Sequence, residues 1–212
     1  MTMHLHSFWR STASWRVRIA LHYKGIGFDY RAVNLLAGEH RTDAFRAINP
    51  LQQVPVLEVD DIRINQSVAI IEYLEQRFPE SPLLPAKPVA RAQVRSIVEM
   101  INAGIQPLQN SGVQRYVDDE LERDGRAWVR HWVQRGMCAL EATVARSAGT
   151  FCVGDQVSMA DVFLVPEVFF CRRFDIALEP YPTLVRIDAR CAELGAFQAA
   201  HALAQPDAPS SG

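Results

Sequence analysis

The 212-residue chain is 49% hydrophobic and 22% charged, with a formal net charge of -2. This balance indicates a globular protein and argues against nucleic acid or an anionic membrane surface as its main partner. No apolar run approaches the ~20 residues that a bilayer-spanning helix requires, and residues 1–4 do not start a secretory signal. The four cysteines are widely spaced, which favours free thiols in a reducing cytoplasm over a disulfide framework or a metal site.

The first segment of the chain predicts a strand, a turn and a helix. Residues 3–8 alternate weakly between apolar and polar side chains, as a short strand does. Residues 15–23 contain no glycine or proline and are rich in apolar side chains, which predicts a helix. Between them, Ser11, Thr12 and Ser14 offer hydroxyls that favour a helix start. The local pattern leaves two interpretations open: these hydroxyls only cap the helix, or they serve an anion at its N-terminus.

Further elements follow in order up to residue 78. Residues 28–35 predict a second strand, 43–48 a short helix, and 53–65 a hairpin that turns at Asp60-Asp61. The helix that follows, up to residue 78, is preceded by Gln66-Ser67, which can be a plain N-cap or an anion-binding helix start.

A cluster of prolines then separates two regions of different character. Helical patterning dominates after it, with long helices predicted at 90–108 and 125–147 and a further helix start at Ser158 to Asp161. The clustered prolines are Pro79, Pro82, Pro85 and Pro88. The predicted organisation is a first domain at 1–80, a linker at 81–88, a helical domain at 89–204 and a disordered tail at 205–212.

Residues 11–21 read Ser-Thr-Ala-Ser-Trp-Arg-Val-Arg-Ile-Ala-Leu. This run resembles the signature segment of the zeta-class glutathione transferases, the family of maleylacetoacetate and maleylpyruvate isomerases, whose usual form is Ser-Ser-Cys-Ser-Trp-Arg-Val-Arg-Ile-Ala-Leu. Ala13 stands where the family usually has Cys. The resemblance extends over nearly the whole chain and implies an α+β thioredoxin-like domain followed by an all-helical domain, the glutathione transferase fold. It also implies glutathione as cofactor, a homodimer and a small dicarboxylate substrate.

The resemblance implies a glutathione-dependent cis–trans isomerase. The expected reaction converts maleylacetoacetate to fumarylacetoacetate in tyrosine degradation, by thiolate addition, bond rotation and elimination. Maleylpyruvate is the alternative substrate, and a general conjugating transferase or a non-catalytic binding protein are the alternative functions. Because Ala13 removes only a second thiol, we expect isomerisation to survive the substitution.

Catalytic roles are expected around the start of the first helix. Ser11 is expected to donate a hydrogen bond to the glutathione sulfur, aided by Thr12 or Ser14 and by the helix N-terminus. Arg10, beside this site, is expected to bind a substrate carboxylate. Two arginines within the helix, at positions 16 and 18, are expected to form structural ion pairs.

The remaining expected roles rest on positions that match the family. Val54-Pro55 can be an edge-strand proline, but the resemblance implies a cis peptide that exposes the Val54 backbone to the glutathione peptide. Gln66 and Ser67 are implied to grip the γ-glutamyl carboxylate. The other implied contacts are His40 and Gln53 at the far end of the tripeptide, Gln106, Asn110 and Ser111 (with the neighbouring subunit's glutathione as an option), and Arg173 on a substrate carboxylate. Without the resemblance, 104–110 reads as a helix kinked at Pro107 with solvated amides.

Overall fold

The computed structural model describes residues 2–209, and these form two compact units that are described separately. The sheet unit combines the residues up to Pro82 with those from Glu193 onward, and the helical unit spans Leu83–Ala192. In chain order the strands and α-helices are β1 (Met3–Ser7), α1 (Thr12–Tyr23), β2 (Asp29–Ala32), α2 (Asp43–Ile48), β3 (Val56–Val59), β4 (Ile62–Asn65), α3 (Ser67–Arg77), α4 (Pro88–Glu99), α5 (Ser111–Asp119), α6 (Gly125–Val144), α7 (Met159–Arg173), α8 (Pro182–Cys191) and α9 (Gly195–Ala200).

The sheet unit is built on four strands in the order β2-β1-β3-β4. β1 is parallel to β2 and antiparallel to β3, and β3 and β4 form the predicted hairpin. Leu5 and Leu57 face each other across the β1–β3 pair and are both fully buried. Nine of the twelve residues of α1 are buried, because this helix packs against both α3 and α9. The strand–helix–strand–helix–hairpin–helix order is that of a thioredoxin-like domain.

The C-terminal segment departs from the prediction. Residues 193–204 lie in the sheet unit, although the sequence suggested that they continue the helical domain. Residues 205–209 are ordered rather than a disordered tail: Gln205 is buried and its Nε2 donates to the carbonyl oxygens of Ala199 (3.0 Å) and His201 (2.9 Å). The composition of this segment is typical of disorder, but its polar side chains find backbone partners. The rest of the predicted tail, 210–212, lies outside the described residues.

The helical unit contains α4 to α8. Within it, the chain forms two different segments where the sequence predicted one helix. The helix predicted at 90–108 ends as α-helix at Glu99 and continues as a π-helical turn over Met100–Ile105. There the N–H of Gln106 donates to the carbonyl of Ile101, five residues back, at 2.8 Å. Pro107 has no N–H with which to continue the ladder. A Cβ at Gly136 would collide with Ile105, so α6 approaches this turn closely only because residue 136 is glycine.

The predicted start of α7 is confirmed. The fully buried Asp161 accepts hydrogen bonds from the N–H groups of Ser158 and Cys152, each at 2.8 Å, and from the Ser158 hydroxyl at 2.9 Å. This capping box joins the helix start to the preceding turn. α6, at Gly125–Val144, also lies within three residues of its predicted bounds.

None of the helices within residues 2–209 is long and apolar enough to cross a membrane. Over the same part of the chain, no group of three or more His, Cys, Asp or Glu side chains is arranged to hold a metal ion. All four cysteines are free, and three of them are buried.

Candidate active site

The N-terminus of α1 is capped by the first of the predicted hydroxyls. Ser11 Oγ accepts a hydrogen bond from the N–H of Ser14 at 3.2 Å, and the Ser11 N–H donates to the carbonyl of Phe8 at 3.0 Å. The capping bond uses a lone pair of the Ser11 oxygen and leaves its O–H able to donate elsewhere. Both interpretations of Ser11, as a cap and as a hydrogen-bond donor to an anion, are therefore compatible with one geometry.

The other two hydroxyls lie deeper than Ser11. Thr12 and Ser14 are buried, at 7% and 0% exposure, and Ser14 Oγ has no hydrogen-bond partner among residues 2–209. A buried hydroxyl without a partner costs about 1–3 kcal/mol, and such groups in native proteins call for an explanation. The first turn of α1 contains no acidic residue. Nothing in that turn therefore offsets the partial positive charge that favours an anion here.

Arg10 lies between β1 and this helix start. Its guanidinium carbon is 5.7 Å from the ring centroids of both Phe8 and Trp9. Within the described part of the chain it makes no hydrogen bond or ion pair, so its in-plane N–H groups are available to donate to a carboxylate.

A second part of the site surrounds the start of β3. The Val54-Pro55 peptide is cis, as the resemblance implies. The Val54 side chain is buried in an apolar cluster with Phe8 and Phe45. Its backbone N–H and C=O make no hydrogen bond to any of residues 2–209. This cluster links the chain just before Ser11 to a backbone segment that can pair with a peptide.

Gln66 and Ser67 form the start of α3. Gln66 has φ 69°, a strained conformation for a residue other than glycine that costs on the order of 1–3 kcal/mol and is concentrated at functional sites. Its side chain is exposed, whereas Ser67 is buried at the first helical position. The unpaired N–H groups of this helix start favour an anion in the same way as those of α1.

Sequence reasoning missed Asn49, which connects these loops. Its Nδ2 donates to the carbonyl of Gln53 at 2.7 Å, and its Oδ1 accepts from the N–H of Leu51 at 3.1 Å and from Asn65 Nδ2 at 3.3 Å. Asn49 is 1% exposed. It therefore ties the loop that carries Gln53 to the strand end that precedes Gln66, a role that no local sequence pattern indicates.

Two further predicted contacts lie on the surface of the sheet unit. His40 is half-buried in the 3-10 turn Glu39–Arg41, and Gln53 is exposed.

The predicted residues of the helical unit lie around the π-helical turn and at the end of α7. Gln106 follows the turn, Asn110 caps α5 by accepting from the Gly112 N–H at 2.8 Å, and Ser111 is the exposed first residue of α5. Arg173 is exposed, with its guanidinium carbon 5.3 and 5.0 Å from two phenylalanine ring centroids on α7 and at its C-cap. The amide that sequence reasoning passed over, Gln109, is buried and donates to Glu167 Oε2 at 2.9 Å.

Arg18 does not form the expected ion pair. It is fully buried, and its guanidinium donates to neutral oxygens: the carbonyls of Trp9 (2.8 Å), Phe8 (3.3 Å) and Ala200 (3.2 Å) and the hydroxyl of Ser7 (3.0 Å). Burial lowers the pKa of Arg18 to about 10, which still leaves it charged at neutral pH.

Models of two protein domains match the chain. The glutathione S-transferase N-terminal domain matches residues 1–76, and the glutathione S-transferase C-terminal domain matches residues 131–194. The chain therefore belongs to the glutathione S-transferase family, and within it to the zeta class that contains the maleylacetoacetate and maleylpyruvate isomerases.

Individual relatives cover almost the full chain. Probable maleylacetoacetate isomerase 2 of Drosophila melanogaster is 47% identical over 207 residues, 97% of this chain and 90% of that protein. The maleylacetoacetate isomerase of Anaeromyxobacter dehalogenans, solved with glutathione bound in its active site, is 48% identical with a TM-score of 0.91, covering 98% of each chain. A bacterial maleylpyruvate isomerase of the zeta class, solved in its holo form, is 41% identical with a TM-score of 0.94, covering 97% of this chain and 100% of that one.

Proposed function

We propose that this protein is a glutathione-dependent cis–trans isomerase that converts maleylacetoacetate to fumarylacetoacetate. The observation that carries the proposal is the start of α1, where Ser11 keeps a hydroxyl proton to donate and the adjacent Arg10 has an unpaired guanidinium among residues 2–209. A thiolate and the carboxylates of the substrate are the two kinds of anion that this reaction requires an enzyme to bind.

The residues of the sheet unit fit a tripeptide thiol. Ser11 and the N-terminus of α1 suit its sulfur, and the unpaired Val54 backbone suits its central peptide group. Gln66 and Ser67 suit its γ-glutamyl carboxylate, since a helix start stabilises negative charge. His40 and Gln53 are proposed at its other end, and Gln106, Asn110 and Ser111 are proposed as further contacts.

Bound glutathione supplies a nucleophilic sulfur that adds reversibly to the double bond, so that the bond can rotate before the sulfur leaves. A free thiol has a pKa of about 8.5 and is mostly protonated at neutral pH. Ser11, by donating its hydroxyl hydrogen, stabilises the deprotonated form and lowers the pKa of the thiol. Ser14, buried and with no partner for its Oγ within the described residues, is the second candidate donor, and Thr12 is the third.

Arginine is proposed to bind the substrate. A guanidinium pairs with a planar carboxylate through two parallel hydrogen bonds, and it also stabilises the negative charge that develops next to a carbonyl during addition. Arg10 and Arg173 are the proposed residues. The Phe8 and Trp9 rings restrict where the Arg10 guanidinium can lie.

We also propose a cytoplasmic homodimer. Four free cysteines suit a reducing compartment, and membership of the family supports the dimer. Light scattering on the purified protein tests the dimer, which requires twice the mass of one chain.

Initial rates with maleylacetoacetate and with maleylpyruvate, each with and without glutathione, test the function. We expect glutathione-dependent turnover that is faster with maleylacetoacetate. Faster turnover of maleylpyruvate would assign the alternative substrate. The similarity to a maleylpyruvate isomerase, at 41% identity, is the reason to test it. Absence of turnover with both, together with conjugation of a neutral electrophile, would replace the proposal by a general transferase and remove Arg10 and Arg173 from their roles.

A further inference from the structure

The C-terminal segment contacts the loop that leads into α1. Asp207 Oδ2 accepts a hydrogen bond from the backbone N–H of Trp9 at 3.0 Å, across 198 positions of the chain. Asp207 Oδ1 accepts from the hydroxyl of Tyr30 at 2.6 Å. Burial, with the contribution of Asp207, raises the pKa of Tyr30, so its hydroxyl keeps the proton that it donates.

The carbonyl of the same residue is held from the other side. Arg18 Nη2 donates to the Trp9 carbonyl at 2.8 Å, and its Nε donates to the carbonyl of Ala200 at the end of α9. Both polar groups of the Trp9 backbone are thus bound by charged side chains. Hydrogen bonds to charged groups contribute roughly 1.5–3 kcal/mol each, about twice a neutral one, so this position is strongly restrained.

This restraint extends to the proposed catalytic groups. The Phe8 carbonyl accepts hydrogen bonds both from the Ser11 N–H and from Arg18. The backbone of Ser11 is therefore connected to the same arginine that holds the Trp9 carbonyl. The Arg10 guanidinium stacks over the ring of Trp9, so a displaced Trp9 carries Arg10 with it. A displacement of about 1 Å at a reacting group can cost on the order of 100-fold in rate.

We propose that Asp207 is a positioning residue for Ser11 and Arg10, which acts by holding the Trp9 backbone in place from the C-terminal segment. The inference rests on the proposed roles of Ser11 and Arg10. The proposal gives Asp207 no contact with glutathione or substrate, because its carboxylate is engaged by Trp9 and Tyr30. The segment that carries Asp207 is then part of the catalytic apparatus, and its loss lowers turnover before it unfolds the protein.

The test compares Asp207→Ala, Asp207→Asn and Tyr30→Phe with Glu141→Ala. Glu141 is a matched control, because it is a half-buried carboxylate of the helical unit that also accepts backbone N–H bonds, from Thr183 and Leu184 at 3.1 Å each. None of these three residues has a proposed role in binding or catalysis. Asp207→Asn keeps an oxygen that accepts one of the two hydrogen bonds, and Tyr30→Phe removes only the donor to Oδ1.

For each variant the measurements are the melting temperature, the dissociation constant of glutathione, the pKa of the bound thiol from thiolate absorbance, and kcat and KM separately. We expect Asp207→Ala to lower kcat by about 10- to 100-fold and to raise the pKa of the bound thiol, with the glutathione dissociation constant changed by less than about threefold. Asp207→Asn and Tyr30→Phe should give intermediate values, and Glu141→Ala should lower only the melting temperature.

A kcat and a thiol pKa that stay at their wild-type values in Asp207→Ala would overturn the inference, as would equal kinetic losses in Glu141→Ala. If Asp207→Ala does not fold, the milder two variants decide the question by the same criteria. Failure of the proposed function is a separate result, because the wild-type protein would then show no glutathione-dependent isomerisation at all.

Discussion

At the scale of single residues, Ser11 combines two roles that are usually alternatives. As a cap it accepts from the Ser14 N–H, and as a proposed catalytic group it donates from the same oxygen. The two roles can be separated, because an aspartate caps a helix as well as a serine but in its ionised form cannot donate a hydrogen bond.

We expect Ser11→Ala to lower kcat/KM by about 10- to 100-fold, the loss of one hydrogen bond to a charged group, and to raise the pKa of the bound thiol. Ser11→Asp should keep the melting temperature close to wild type and still lose activity, because its carboxylate repels the thiolate. An active Ser11→Asp enzyme would mean that Ser11 only caps the helix.

At the scale of elements, a network of charged side chains connects the four strands of the sheet. Glu58 on β3 pairs with Arg31 on β2 (2.9 Å), Arg63 on β4 (2.8 Å) and His6 on β1 (3.2 Å), so one carboxylate connects all four strands. Burial alone would raise the pKa of Glu58, but the hydrogen bonds from Arg63 and His6 hold it below its ordinary value. Burial lowers the pKa of His6 and outweighs the opposing effect of Glu58.

The pKa shifts of Glu58 and His6 both make the folded state less stable at acidic pH. A carboxyl whose pKa is lower in the folded state stabilises the fold above its ordinary pKa of about 4.3, and that contribution disappears as the pH falls through the lowered value. A histidine whose pKa is lowered by folding is protonated more readily in the unfolded chain, so acid below pH of about 6.5 also favours unfolding. The network therefore predicts a protein that loses stability on acidification.

We expect Glu58→Gln to lower the free energy of unfolding by about 1 kcal/mol at neutral pH, since Arg31 and Arg63 are 45% and 50% exposed and solvent screens both pairs. Urea unfolding at a series of pH values should show the difference from wild type shrinking as Glu58 becomes protonated. Asp43→Asn, which breaks a pair between an exposed carboxylate and the 55% exposed Arg46, is the control and should change stability by less than about 0.5 kcal/mol. A difference that stays constant down to acidic pH would contradict the network.

At the scale of the whole molecule, glutathione should stabilise the fold. A ligand at about 100 times its dissociation constant adds about 2.7 kcal/mol to the free energy of unfolding if it binds only the folded state. For a chain of this length we expect the melting temperature to rise by roughly 5–10 °C, measurable by calorimetry.

Cysteinylglycine is the matched ligand for this experiment, because it keeps the thiol and one peptide group but lacks the γ-glutamyl carboxylate. Its shift should be clearly smaller, and Gln66→Ala should reduce the shift given by glutathione while leaving that of cysteinylglycine unchanged. Equal shifts for the two ligands would remove Gln66 and Ser67 from the proposed carboxylate contact.

The sequence by itself determined the features that depend on neighbouring residues. The start of α1 at a hydroxyl, the capping box of α7 and the β3–β4 hairpin all follow from side chains within a few positions of the groups that they satisfy. The family was also recognisable from residues 11–21, because a contiguous motif can be identified without knowing how the rest of the chain folds.

The tertiary structure alone decided the features whose partners are distant in the chain. Asp207 and Trp9 are 198 positions apart, and Arg18 and Ala200 are 182 apart, so no local pattern could indicate that a segment with the composition of a disordered tail is ordered against the start of α1. The hydrogen bond between Asn49 and Asn65, which are 16 positions apart, was hidden from local patterns for the same reason. Hydrogen bonds between such distant groups form only once the hydrophobic core has brought them together, because closing a long loop costs conformational entropy that the local sequence does not recover.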